Sequence, residues 1–187
     1  MKKKVIDESG STLVLLMIII ATIILMGTSL LNITMSQFKI RKSNSDIKRA
    51  FYISETGLNN AYLRVYDLIC EAAEGSVNKA DEYLITKPDD LEGSSNLFKS
   101  NYKLYITNNI SSRVYDNSNP YIDIVNETGL SFINEKLIVK VNSKYLSESG
   151  IEKSTAAEII ISVPDYIETK ANLTDFTTLI QFINFNL

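Results

Sequence analysis

From Ser9 to Phe38 the chain carries no charged residue, and Leu13–Leu31 is almost wholly apolar. A helix rises about 1.5 Å per residue, so about 20 residues cross a ~30 Å hydrocarbon core, and this run is long enough to do so. Beyond it the apolar residues thin into a pattern. Ile47, Phe51, Ser54, Leu58, Ala61, Val65, Leu68 and Ala72 follow at alternating steps of four and three, a spacing that keeps one helix face. Ala50, Gly57, Tyr62 and Ile69 flank that face, while Lys48, Asn59, Asn60, Arg64 and Asp67 fall largely elsewhere. No proline occurs before Pro88. The pattern predicts one nearly continuous helix from about Ser11 to Ala73, roughly 95 Å long. Its first half is apolar all round and its second half is amphipathic.

After Glu74 the periodicity changes. The segment from Glu74 to Leu97 is rich in Gly, Pro, Ser and acidic residues and reads as a connecting loop. "YKLYIT" (102–107) alternates and reads as a strand. "NNISSRVYDNSNP" is turn-rich, and "YIDIV" (121–125) is a short strand. "KLIVKVNSKYL" (136–146) and "TAAEIIISV" (155–163) flank "SESGIEKS", so they read as a long antiparallel hairpin. In the tail, Phe176, Leu179, Ile180, Ile183 and Leu187 recur at helical spacing and predict a short amphipathic helix. The expected fold class is α+β: a long N-terminal helix whose amphipathic half packs against a C-terminal antiparallel sheet.

Composition narrows the chemistry. The 187 residues include 19 Lys and Arg against 22 Asp and Glu, a net charge of −3, so no bulk field favours nucleic acid. There is no His and no Trp, and Cys70 is the one cysteine. An internal disulfide is impossible, and the usual His and Cys metal clusters are excluded. No G-x-S-x-G or Walker-type loop occurs. Asp89 and Asp90 are adjacent, a poor acid–base pair without further partners. Asp116, Asn117, Ser118, Asn119 and Asp123 supply oxygen-rich side chains of the kind calcium takes, but in no EF-hand pattern; an Asx-rich turn accounts for them. No catalytic activity, cofactor or metal is expected.

Three kinds of membrane segment share the N-terminal pattern. A cleaved secretory signal has a shorter apolar region, roughly 7–15 residues, followed by a small-residue cleavage site; here the run is longer and "MGTSLLNITMS" offers no such site. A single-pass anchor fits the length. The third kind is a short leader cut just before the apolar helix. "MKKKVIDESG" is basic at its start and ends in Gly10, and "STLVLL" begins the helix directly. This layout resembles the leader of type IV pilins and pseudopilins. "RAFYISETGLNNAYL" (Arg49–Leu63) is similar to the A-F-x-x-x-E-x-G-L-x-x-A block of PilX-type minor pilins, matched by Ala50, Phe51, Glu55, Gly57, Leu58 and Ala61. The resemblance covers about the first 70 residues. Family members commonly carry Phe just after the cut and Glu at the fifth mature position; here these are Ser11 and Leu15.

The resemblance implies residues 1–10 as leader, 11–38 as membrane and filament-core helix, 39–74 as its amphipathic continuation and 75–187 as a sheet-rich globular domain. It implies cleavage between Gly10 and Ser11 by a prepilin peptidase and N-methylation of Ser11. Phe51, Gly57, Leu58, Ala61 and Val65 are expected at the helix–sheet packing surface. Expected partners are other pilin subunits, the peptidase and the cytoplasmic membrane, with no nucleic acid. Lys39, Arg41, Lys42, Lys48 and Arg49 outnumber Lys2, Lys3 and Lys4, and a bare count of positive charge would place the C-terminal side in the cytoplasm. The basic leader and the tyrosine-rich sheet domain favour the opposite: N-terminus inside, domain exported, and an extracellular filament after assembly. A single-pass envelope protein with an external ligand- or partner-binding domain is the alternative.

Overall fold

The computed structural model describes residues 8–126, 129–171 and 176–185. The first helix, α1, runs unbroken from Glu8 to Thr86. The chain divides into two compact units, residues 1–45 and 46–187. In the first unit α1 is the only element among the described residues. The second unit contains the rest of α1, then α2 (Leu91–Val114), β1 (Tyr121–Ile124), β2 (Lys136–Leu146), β3 (Glu152–Ser162), a short α3 (Tyr166–Ala171), a 3₁₀ turn (Thr177–Leu179) and β4 (Ile180–Phe185). The fold is α+β, a long N-terminal helix with a four-stranded antiparallel sheet in the order β1-β2-β3-β4, consistent with a pilin-like fold.

The expected loop after Glu74 is instead helix. Gly75 meets nothing within 4 Å of where a side chain would start, so it costs α1 only its helix propensity, about 1 kcal/mol. That loss is outweighed because the buried face continues through Ala73, Ser76, Val77 and Ala80. The helix stops at Thr86 because Pro88 disfavours helical geometry in the residue before it. Asp90 then caps α2, its Oδ1 accepting the Gly93 N–H at 2.9 Å, while Tyr83 Oη donates to Asp90 Oδ2 at 2.6 Å. This pair holds the two helix ends across a short connection.

The largest correction concerns "YKLYIT". It lies inside α2, not in a strand. Ser94, Phe98, Tyr102, Ile106, Ile110 and Val114 are all buried, and their constant step of four is a helical face. A six-residue window sees only Tyr102, Leu104 and Ile106 and reads alternation. Leu104 in fact points to solvent, 59% exposed. α2 runs back along α1: Ser94 Oγ donates to the Ala80 carbonyl at 3.1 Å, and Arg113 reaches Glu71 at 2.6 Å.

The hairpin of β2 and β3 pairs Lys136 with Ser162 through to Leu146 with Glu152. In β2 the exposed Lys136, Lys140 and Lys144 alternate with the buried Leu137, Val139 and Val141, as a sheet with one wet face requires. The buried face meets α1 from Leu58 to Ala73 and α2 from Tyr102 to Val114, forming the main core. A smaller cluster of Val77, Ala80, Phe98 and Tyr166 joins the helices to α3, where Tyr166 donates a hydrogen bond to Asp81, which also pairs with Lys170.

The C-terminal tail also departs from expectation. Among its described residues only Thr177–Leu179 is helical, as a single 3₁₀ turn, and residues 180–185 form β4. β3 presents an open edge, and Ile180 and Phe182 pair with Ile161 and Ile159, burying Ile180 and Phe176. A helix would leave the β3 ladder groups without these partners. Leu187 lies outside the described residues.

The two readings of residues 102–107 separate cleanly by mutation. Ile106→Ala is expected to destabilise the chain by about 2–5 kcal/mol as a buried truncation, and Leu104→Ala by less than about 0.5 kcal/mol. Thermal or denaturant unfolding of the detergent-solubilised chain, followed by circular dichroism, measures both. Equal losses at the two positions contradict the helical register.

Candidate functional site

Two surfaces carry what the fold can do. The first is the seam between α1 and the sheet in the second unit. Leu58, Ala61 and Val65 are buried in the main core, facing residues of β2 and β3. Gly57 is buried one position earlier. A Cβ there would collide with Ser143 Oγ and stand 3.1 Å from both Ser143 Cβ and the Pro120 ring. The missing side chain is therefore what lets β2 and the loop before β1 close onto the helix. Phe51 is half-buried and lies outside both core clusters, its ring edge-on to the exposed Tyr52. Ala50 and Ser54, on the same stretch, are fully buried.

Ser143 pairs across the ladder with Thr155. Both hydroxyls are buried with no hydrogen-bond partner among the described residues. Such groups cost about 1–3 kcal/mol each when left unpaired. Small buried residues stand on both elements, Ala50, Ser54 and Gly57 on α1 and Ser143 and Thr155 on the sheet, and Gly57 approaches Ser143 closely.

Beside it, Arg64 fastens α1 to the loop before β1. Its Nη2 lies 2.5 Å from Asp116 Oδ2, and its Nη1 donates to the Tyr115 carbonyl at 3.4 Å. The backbone N–H and hydroxyl of Ser118, with Arg64, hold the Asp116 carboxyl below the usual carboxylate range. Two further oxygen-bearing side chains of this segment are also engaged locally. Asn119 brackets Leu146, donating to its carbonyl at 2.8 Å and accepting its N–H at 3.2 Å. Asp123 Oδ1 accepts the Ile124 N–H at 2.8 Å. Asp90 caps α2, as described. Among the described residues no group of three or more Asp, Glu or Cys is placed to hold a metal ion.

Sequence reasoning missed Ser143, Arg64, Asp116 as an ion-pair partner, and Glu71 with Arg113. Each depends on a contact between residues far apart in the chain. Asp90 did carry a local signal, an acidic residue just before a helical pattern.

The second surface is the apolar part of α1 in the first unit. Residues 12–38 are exposed along its whole length, including Leu15 at 60% and Phe38 at 68%. By length and composition this helix is a candidate membrane span. Three of its hydroxyls bond back to the helix: Thr22, Thr28 and Thr34 donate to the carbonyls of Ile18, Leu25 and Leu30 at 2.8, 3.0 and 2.8 Å. No water is needed to satisfy them, as hydrocarbon requires. Gly10 and Ser11 lie in the first turns of α1, whereas Met1–Asp7 lie outside the described residues.

Comparison of the chain with protein-family models, with curated proteins and with solved structures finds no match.

The Gly57 contact generates a sharp expectation. Gly57→Ala normally stabilises a helix by about 1 kcal/mol. Here it is expected to destabilise by about 1–3 kcal/mol through overpacking against Ser143 and Pro120. Ser143→Ala removes an unpaired buried hydroxyl and is expected to stabilise by about 1 kcal/mol. Adding Ser143→Gly to Gly57→Ala should recover part of the loss. Denaturant unfolding of the three variants in detergent decides it; a more stable Gly57→Ala chain means the seam is looser than described.

Proposed function

We propose that the chain is a minor pilin or pilin-like subunit of a type IV pilus or related filament machine, acting at the tip or in initiating assembly. The observation that carries this reading is α1 itself. One unbroken helix is exposed and apolar over 12–38 and then buries its face from Leu58 to Ala73 against an antiparallel sheet. A subunit stored in a bilayer and later packed into a filament core needs that division. The leader layout around Gly10 and the Ala50–Ala61 block add the resemblance to minor pilins. In this reading the chemistry is assembly. The apolar half exchanges lipid for neighbouring helices, and the exported domain supplies lateral contacts to other subunits.

Leu15 gives the role within the filament. In the pilin family a Glu at this mature position is thought to meet the N-terminal amine of the subunit ahead. A carboxylate buried for that purpose is costly to leave unpaired. Leu15 offers no such group, while the Ser11 amine still meets the Glu of a subunit below. A subunit of this kind fits the end of a filament, where no subunit lies ahead.

Maturation tests the assignment. In cells with their own prepilin peptidase the mature chain is expected to begin at N-methylated Ser11, read by intact mass and N-terminal sequencing. Replacing Gly10 by a bulky residue should leave the precursor uncut. A mature chain that still carries Lys2–Gly10 supports the single-pass envelope protein instead.

Position is tested separately. Immunogold labelling of sheared filaments is expected to mark ends, at low abundance relative to a Glu-bearing major subunit. Dense labelling along the shaft removes the tip role and leaves the pilin assignment standing.

A further inference from the structure

We propose that Lys39, Arg41 and Lys42 form a belt that binds the headgroups of anionic phospholipids and sets the depth of α1 in the bilayer. This rests on reading the apolar part of α1 as a membrane span, and not on the pilin assignment.

The first argument is length. The uncharged run Ser9–Phe38 is about 30 residues, or about 45 Å of helix. A bilayer measures about 40–45 Å with its headgroup regions included, against ~30 Å for the hydrocarbon alone. The run therefore matches the full thickness of the membrane. An upright helix brings the first charges beyond it, Lys39, Arg41 and Lys42, to the level of the lipid phosphates.

The second argument is direction around the helix. Successive residues turn by about 100°, so Lys39 and Arg41 stand about 160° apart, nearly on opposite sides. One protein surface cannot meet both. A headgroup layer surrounds the helix and can. All three side chains are exposed, and among the described residues none forms an ion pair. Phe38 and Ile40, 68% and 58% exposed, are interleaved with them. That mixture suits a boundary where hydrocarbon gives way to phosphate, with the long Lys and Arg stems lying along apolar surface and their charged ends reaching outward.

The consequence is a fixed height. Charges held at the phosphates resist both sinking into hydrocarbon and rising clear of it.

The test uses the full chain in nanodiscs of phosphatidylcholine with a minority of phosphatidylglycerol. Spin-labelled lipids of the two kinds report which is retained at the protein surface. The expected result is retention of phosphatidylglycerol over phosphatidylcholine by at least about threefold at low salt, weakening as salt screens the charges. The K39Q/R41Q/K42Q variant should lose the preference while remaining inserted, as judged by resistance to alkaline extraction. An inserted wild-type chain with no preference overturns the proposal, as does a variant that keeps it. A preference that vanishes on diluting the protein, while the cluster crosslinks to another chain, assigns the belt to an acidic protein partner and also overturns it. Extraction of the wild-type chain at alkaline pH overturns the membrane-span reading, and the belt with it.

Discussion

The rest of the second unit depends on the apolar face that α1 keeps from Leu58 to Ala73. A helix that is apolar all round is stable only where no water competes, and one with a single apolar face is stable only against a partner. α1 meets the second condition from Leu58 to Ala73, and over 12–38 it has the length and composition of a candidate membrane span; no proline interrupts it before Pro88. Its second half gains its partner from the sheet and from α2. One close approach in that contact turns on a single missing side chain. At Gly57 the helix gives up propensity so that Ser143 and Pro120 can come in, and the Arg64–Asp116 pair closes the same loop from the side.

The fold class and its two longest features were legible. The uncharged run and the four-three stripe gave α1, and the apolar alternation of 136–146 and 155–163 gave the central hairpin. The errors came from short windows. "YKLYIT" alternates over six residues, yet its apolar positions belong to a face that spans Ser94 to Val114. Gly75 and the acidic residues around it imitate a loop, although the buried positions continue past them. The tail has true helical spacing, but an open strand edge on β3 determines its conformation.

The helix side of the seam was readable in the same way, since burial at Leu58, Ala61 and Val65 follows from periodicity alone. Its sheet side was not. No local rule says that Ser143 will stand over Gly57, or that Arg64 will find Asp116. Those pairings depend on sheet register, which is set by the β2–β3 ladder and the loop before β1. Phe51 illustrates the reverse limit. It sits in the stripe but is only half-buried and lies outside the core clusters, so the pattern alone overstated its burial.

The order of the elements has a consequence for synthesis. A chain emerges from its N-terminus, so the stripe of α1 is made first and its covering strands last. α2 arrives next and can fold back at once, through a connection of only a few residues. The sheet cannot close until β3 is complete, and Asp81 waits 85 residues for Tyr166. Contacts that distant are slow to form, and the surface left waiting is adhesive. The nascent domain therefore passes through a stage in which a helical hairpin shows a bare apolar flank. That flank needs shelter until the last third of the chain is delivered.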